Sequence, residues 1–71
     1  MTNSWTIKHF SQSNPRGPGQ ADVAGLLRRV AASIEELGEA DVQDVAFHTE
    51  ADDDGDPWPH ITVYFNTPEA E

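Results

Sequence analysis

Residues 23–38 read VAGLLRRVAASIEELG, and within them Val23, Leu26, Leu27, Val30, Ala31, Ile34 and Leu37 recur at steps of three and four before the chain reaches Gly38. That period puts all seven side chains on one face of an α-helix. The stretch therefore predicts an amphipathic helix over residues 21–37, which needs a second layer to lie against. Asp22 falls in its first turn, at the positive end of the helix dipole, and Gly38 supplies the left-handed residue that ends it. Helical spacing also places Gly25, Ala24 and Ala32 away from the apolar stripe.

The flanking segments supply the second layer. Residues 5–10 (WTIKHF), 42–49 (VQDVAFHT) and 58–65 (WPHITVYF) are short, rich in β-branched and aromatic side chains, and bounded by turn formers. The expected fold is α+β, a single helix packed on one face of a three-stranded, mainly antiparallel sheet in the order β-α-β-β. Residues 50–57 join the last two strands as a hairpin. The run 61–65, ITVYF, is the strongest strand former, which makes the last strand central and the strand order 1-3-2. Order 1-2-3, with a parallel first pair, is the alternative.

A chain of 71 residues without cysteine has room for one domain, residues 1–71. Residues 1–4, the Pro/Gly-rich loop 11–20 and the tail 67–71 are expected to be flexible. A core of this size typically supplies no more than about 3–5 kcal/mol of net stability, and no disulfide supplements it, so oligomerisation is the readiest source of further burial. The absence of cysteine fits a reducing compartment. The polar start runs directly into a strand, with neither a basic leader nor an apolar run long enough for a membrane span, and a cytoplasmic location is expected.

Thirteen acids against four bases give a formal charge of -9. Nucleic acid and anionic membrane are disfavoured as partners, because phosphate contacts need a basic groove. Either the acids keep a small protein soluble or they complement a basic partner protein.

Strand parity divides the side chains. With Ile7, Val45, Phe47, Ile61, Val63 and Phe65 facing the helix, the opposite face carries Lys8, Phe10, Asp44, Ala46, His48, Trp58, His60, Thr62 and Tyr64. No second helix covers that face. An aromatic, histidine-bearing open face predicts an interaction surface made of Lys8, Phe10, His48, Trp58, His60 and Tyr64, used in a homodimer or with a protein partner. Open aromatic sheet faces also serve as stacking platforms for single-stranded RNA, but the charge speaks against that use here.

No segment specifies a reaction, and neither catalytic residues nor a cofactor are expected. Residues 50–56, EADDDGD, match the first half of a calcium loop, but the twelfth position is Ile61 where a bidentate glutamate is needed. The segment reads instead as an acidic hairpin turn with Gly55 at positive φ. A hairpin centred on Asp54 places His48 opposite His60, two ligands without a third, so no metal site is expected. His9 is placed at the strand end near the helix side, and Arg16 at the tip of the 11–20 loop.

The combination of Trp5-Thr6-Ile7, Asp22-Val23 with Leu26-Leu27-Arg28-Arg29-Val30-Ala31, Val42-Gln43-Asp44 with Phe47-His48-Thr49-Glu50, and Pro57-Trp58 with Thr62-Val63-Tyr64-Phe65 resembles small uncharacterised proteins of actinobacteria. The resemblance spans nearly the whole chain and implies one folded unit, with no activity to carry over. Two classes of function follow. The first is a non-catalytic interaction module acting through the open sheet face, and the second is an acidic inhibitor or mimic that binds a basic protein. A small-ligand or metal-dependent enzyme stands third.

Overall fold

A computed structural model describes residues 5–68. The chain forms β1 (Trp5–Ser13), α1 (Val23–Glu36), β2 (Asp41–Ala51) and β3 (Pro57–Pro68). The strands make one sheet in the order β1-β3-β2, with both pairings antiparallel. The α+β architecture and the strand order are those the sequence predicts. Each strand runs longer than its apolar core suggests, because backbone pairing continues where side chains no longer alternate. Residues 11–13 thus complete β1 and residues 67–68 complete β3, while residues 1–4 and 69–71 lie outside the described residues.

The β2–β3 hairpin pairs Ala51 with Pro57 and His48 with His60, as a turn centred on Asp54 requires. Gly55 sits in the turn at φ +83°, which an L side chain rarely adopts. At the other end of β2, Gln43 is an extra residue between Val42 and Asp44. This bulge lets Val42 and Val45, three apart, both lie on the helix side of the sheet. On β3, Pro57 and Pro59 pair with Ala51 and Thr49 of β2, beyond the point where β1 ends opposite His60.

Among the described residues the core is formed by Leu26 and Val30 of α1 and by Ile61, Val63 and Phe65 of β3. Phe10, Ile34, Leu37 and Ala40 pack around it. The helix buries a narrower arc than its stripe suggests. Leu27 is 50% exposed and Ala31 is exposed, because α1 lies over β1 and β3 and leaves β2 uncovered. The Arg29 guanidinium donates to Asn14 Oδ1 at the end of β1, which ties that flank of the helix to the β1 side. Leu27, two residues away, projects from the opposite flank of the helix.

β1 presents the opposite faces from those expected. Lys8 pairs with Phe65 and Phe10 with Val63, so both stand on the helix side, while Ile7 and His9 pair with Asn66 and Tyr64 on the open face. Ile7 and Phe10 are three residues apart and cannot share a face of a regular strand. Phe10 lies at the level of the helix, its ring centroid 6.0 Å from that of Phe65, and takes the core position. Ile7 lies nearer the end of the sheet and is 74% exposed.

One helix on part of one face leaves an extended molecule, with a radius of gyration of 14.8 Å against about 11 Å for a compact chain of this length. Among the described residues no helix is long and apolar enough to cross a membrane.

Asp22 caps α1 rather than entering its first turn. Its Oδ1 accepts from the Gly25 N–H at 3.0 Å, and a Cβ on Gly25 would come within 2.5 Å of the same carboxylate. Gly25 is thereby explained as room for the cap. Asp22→Ala should cost about 1 kcal/mol. Gly25→Ala should be nearly neutral in the wild type, since a helix-propensity gain of about 1 kcal/mol is offset by the displaced cap, but stabilising in the Asp22→Ala background. Urea unfolding of the four proteins measures this coupling; additive effects would show that the two residues act independently.

Candidate functional site

The open face is built from an outer row of Ile7, Asn66 and Asp41, in which Ile7 is 74% exposed, and three further cross-strand rows. His9, Tyr64 and Asp44 form the first, with the His9 and Tyr64 rings 5.7 Å apart. Ser11, Thr62 and Ala46 form the second, in which the Ser11 and Thr62 hydroxyls hydrogen-bond at 2.8 Å. Ser13, His60 and His48 form the third. The His48 and His60 rings stack 5.3 Å apart, and Glu50 turns both carboxylate oxygens to them, Oε2 at 3.2 Å from His48 Nε2 and Oε1 at 3.6 Å from His60 Nε2. Trp58 packs against His60 with ring centroids 5.0 Å apart. A polar middle row therefore separates Tyr64 from the histidine and tryptophan cluster, and the face is not one continuous apolar patch.

Of the six residues expected to form the interaction surface, His48, Trp58, His60 and Tyr64 share the open face, while Lys8 and Phe10 stand on the other side of the sheet. Trp58 also has a structural task. Its Nε1 donates to the Asn14 carbonyl at 2.8 Å, and the Arg16 guanidinium lies 5.6 Å from the ring centroid. Arg16 reaches 3.8 Å from both Asp52 and Asp53, so it bridges the loop and the hairpin turn.

The 14–22 loop is held by buried polar side chains that sequence reasoning did not single out. Asn14 and Gln20 are 4% and 8% exposed. Asn14 Nδ2 donates to the carbonyls of Gly19, Gln20 and Asp22 at 3.3, 3.1 and 3.0 Å. Gln20 Oε1 accepts from the Gly17 N–H at 2.9 Å, and its Nε2 donates to Asp52 Oδ2 at 2.9 Å and the Pro57 carbonyl at 3.1 Å. Asp52 Oδ1 in turn accepts the N–H groups of Asp54 and Asp56, each at 2.9 Å. Asn14 before Pro15 does signal a turn. Nothing in the sequence distinguishes Gln20 from an exposed loop residue.

Arg16, Gly17, Gln20, Asp52, Asp54 and Asp56 line an open depression of about 560 Å³ between loop and turn. Carboxylate oxygens of Asp52, Asp54 and Asp56 lie within 4.8 Å of one another. Both Asp52 oxygens already accept hydrogen bonds from the chain, so its first role is structural. Ser13 stands opposite His60 and Tyr64 opposite His9, but among the described residues no hydrogen bond joins a hydroxyl to an imidazole.

Besides Ile7 on the open face, exposed apolar side chains gather along the helix side of β2 and on the helix. Val45, Phe47 and Leu27 are 48%, 52% and 50% exposed, and Val42 is 37% exposed. Val45 and Phe47 face the helix layer as predicted, opposite Val63 and Ile61, but the helix does not reach over them. Since β3 occupies one side of β2, its outer backbone groups have no partner strand among the described residues.

The Asp52 carboxyl is held below its ordinary value of 3.8, first by the Gln20 hydrogen bond, then by the backbone N–H groups of Asp56 and Asp54 and the nearby Arg16. A depressed folded-state value means that the charged group stabilises the fold above the unfolded value and loses that contribution as pH falls through the folded one. Asp52→Asn should lower stability at pH 7 and reduce the loss seen between about pH 5 and pH 2. Chemical denaturation across that range checks this; parallel acid limbs in the two proteins would exclude a contribution from the charge.

No family model, no curated protein and no solved structure matches the chain.

Proposed function

We propose that the chain is a non-catalytic interaction module and that it associates through the β2 side of the sheet. The observation that carries this reading is the exposure of Val42, Val45 and Phe47 beside a strand edge that no described strand pairs, with Leu27 exposed on the helix. Exposed apolar side chains scattered over a surface need no explanation, but a group of them flanking a free edge combines a reason to bury surface with backbone donors and acceptors to satisfy. The shortage of core points the same way. So small a core supplies little stability, and covering Phe47 and Val45 would add about 1–2 kcal/mol for each half-buried side chain.

Tyr64 and the histidine cluster stand on the other face of the same sheet and give an associated form a polar, aromatic outer surface. The reading of the chain as an acidic mimic for a basic protein differs in its dependence on salt. Apolar association persists as salt rises, while affinity that rests on charge falls steeply.

Sedimentation at low and high salt, with affinity capture from cell extract, tests the proposal. The wild type should associate or retain a partner in both salts. Phe47→Asp should abolish that association, whereas Tyr64→Asp should leave it within about twofold. A wild type that is monomeric at high micromolar concentration and retains no partner would overturn the reading, and loss in Tyr64→Asp but not in Phe47→Asp would move the surface to the open face.

A further inference from the structure

We infer that the partner of β2 is a second copy of this chain, paired antiparallel along β2 about a two-fold axis through Ala46. This deepens the β2 reading above and rests on it. The inference comes from the side-chain order on the strand. In an antiparallel pair, residues directly opposite each other point to the same face, so a symmetric pairing must be centred on a residue. β2 reads DVQDVAFHTEA from Asp41, with the bulge at Gln43, which leaves residues 44–51 for regular pairing.

Among these registers, the one centred on Ala46 alone sets both Val45 and Phe47 opposite apolar side chains while opposing no like charges. Val45 falls opposite the partner's Phe47, and Phe47 opposite the partner's Val45, on the side where both are exposed. Asp44 falls opposite the partner's His48 on the open face, twice over by symmetry. Ala46, the smallest side chain of the segment, meets itself at the axis. Shifting the centre to Phe47 sets Asp44 opposite the partner's Glu50, a repulsive pair. Moving it to Val45 sets Phe47 against the bulged Gln43, and moving it to His48 leaves Phe47 opposite Thr49 and Ala46 opposite Glu50. Cross-strand apolar and opposite-charge pairs each contribute about 0.2–1 kcal/mol, and like charges directly opposite are destabilising.

The smallest specific interfaces bury roughly 500 Å² from each partner, about a tenth of the 4851 Å² this chain exposes. β2 spans 11 residues, all but Ala46 exposed. Two copies of charge -9 repel, but at physiological salt the repulsion is screened beyond about 8 Å.

The absence of cysteine makes the register directly readable. In the Ala46→Cys variant the two thiols would meet across the axis with Cα atoms about 4.5–5.5 Å apart, within the range a disulfide spans. In Asp44→Cys or His48→Cys the like positions would stand about 13 Å apart along the strands. Under a mild oxidant, which takes two electrons and two protons for each disulfide, Ala46→Cys should form covalent dimer many-fold faster than either control. An equimolar mixture of Asp44→Cys and His48→Cys should cross-link several-fold more than either does by itself. Circular dichroism of each variant checks that the fold is retained, and sedimentation of the wild type runs alongside. Associated wild type with no preferential link at residue 46 and none in the mixture would overturn this pairing while leaving the β2 reading intact. A wild type that stays monomeric at high micromolar concentration would overturn self-pairing, even if another protein is captured.

Discussion

A single helix cannot cover three strands. With side chains α1 is about 10 Å wide and, at 14 residues, about 21 Å long. The sheet beneath it has three strands spaced about 4.8 Å apart, and β3, with 12 residues, extends about 40 Å. The helix therefore covers two strands over about half their length. The small core, the exposure of Val45 and Phe47, and the extended shape all follow from that mismatch. Because Arg29 and Asn14 hold α1 to the β1 side, β2 is the strand left without cover.

Where the helix does not reach, polar contacts hold the chain. Asn14, Gln20 and Asp52 form a continuous run of hydrogen bonds from the end of β1 through the loop to the hairpin turn, with Trp58 and Arg16 closing over it. The arrangement has little redundancy. Each amide is buried and shared among several backbone groups, so losing one leaves several others unsatisfied, which is the costly side of the hydrogen-bond balance. A loop rich in glycine and proline is thereby held in place by two side chains rather than by an apolar plug.

Features with a period were legible in the sequence. The helix, its end at Gly38, the hairpin register about Asp54 and the central position of β3 all follow from spacing and propensity. What spacing could not resolve was competition. Ile7 and Phe10 both suit a core, and only the position of the helix along β1 decides that Phe10 enters it and Ile7 does not. The expected site accordingly divides between two faces, with Lys8 and Phe10 on one and His48, Trp58, His60 and Tyr64 on the other. The buried Asn14 and Gln20 were beyond reach for another reason. Their role depends on contacts with Asp52, Pro57 and Arg29 that are distant in sequence and carry no local pattern. Leu27 matches the helical stripe as well as Leu26 does, and its exposure reflects the width of the sheet rather than anything in the helix.

Pro57 and Pro59 bear on how the sheet stops. The two are separated by one residue, so their backbone nitrogens point to the same side of β3, and neither carries a hydrogen to donate. β1 has already ended at Ser13, opposite His60. Hydrogen-free nitrogens suit a side from which a strand is missing, since an ordinary residue there would present an amide with nothing to bond. β1 can therefore leave the sheet at Asn14 without orphaning donors on its neighbour, and the vacated side is taken by a folded-over loop instead of an intruding chain. At this end the prolines deny a foreign strand the regular ladder it would need for runaway stacking.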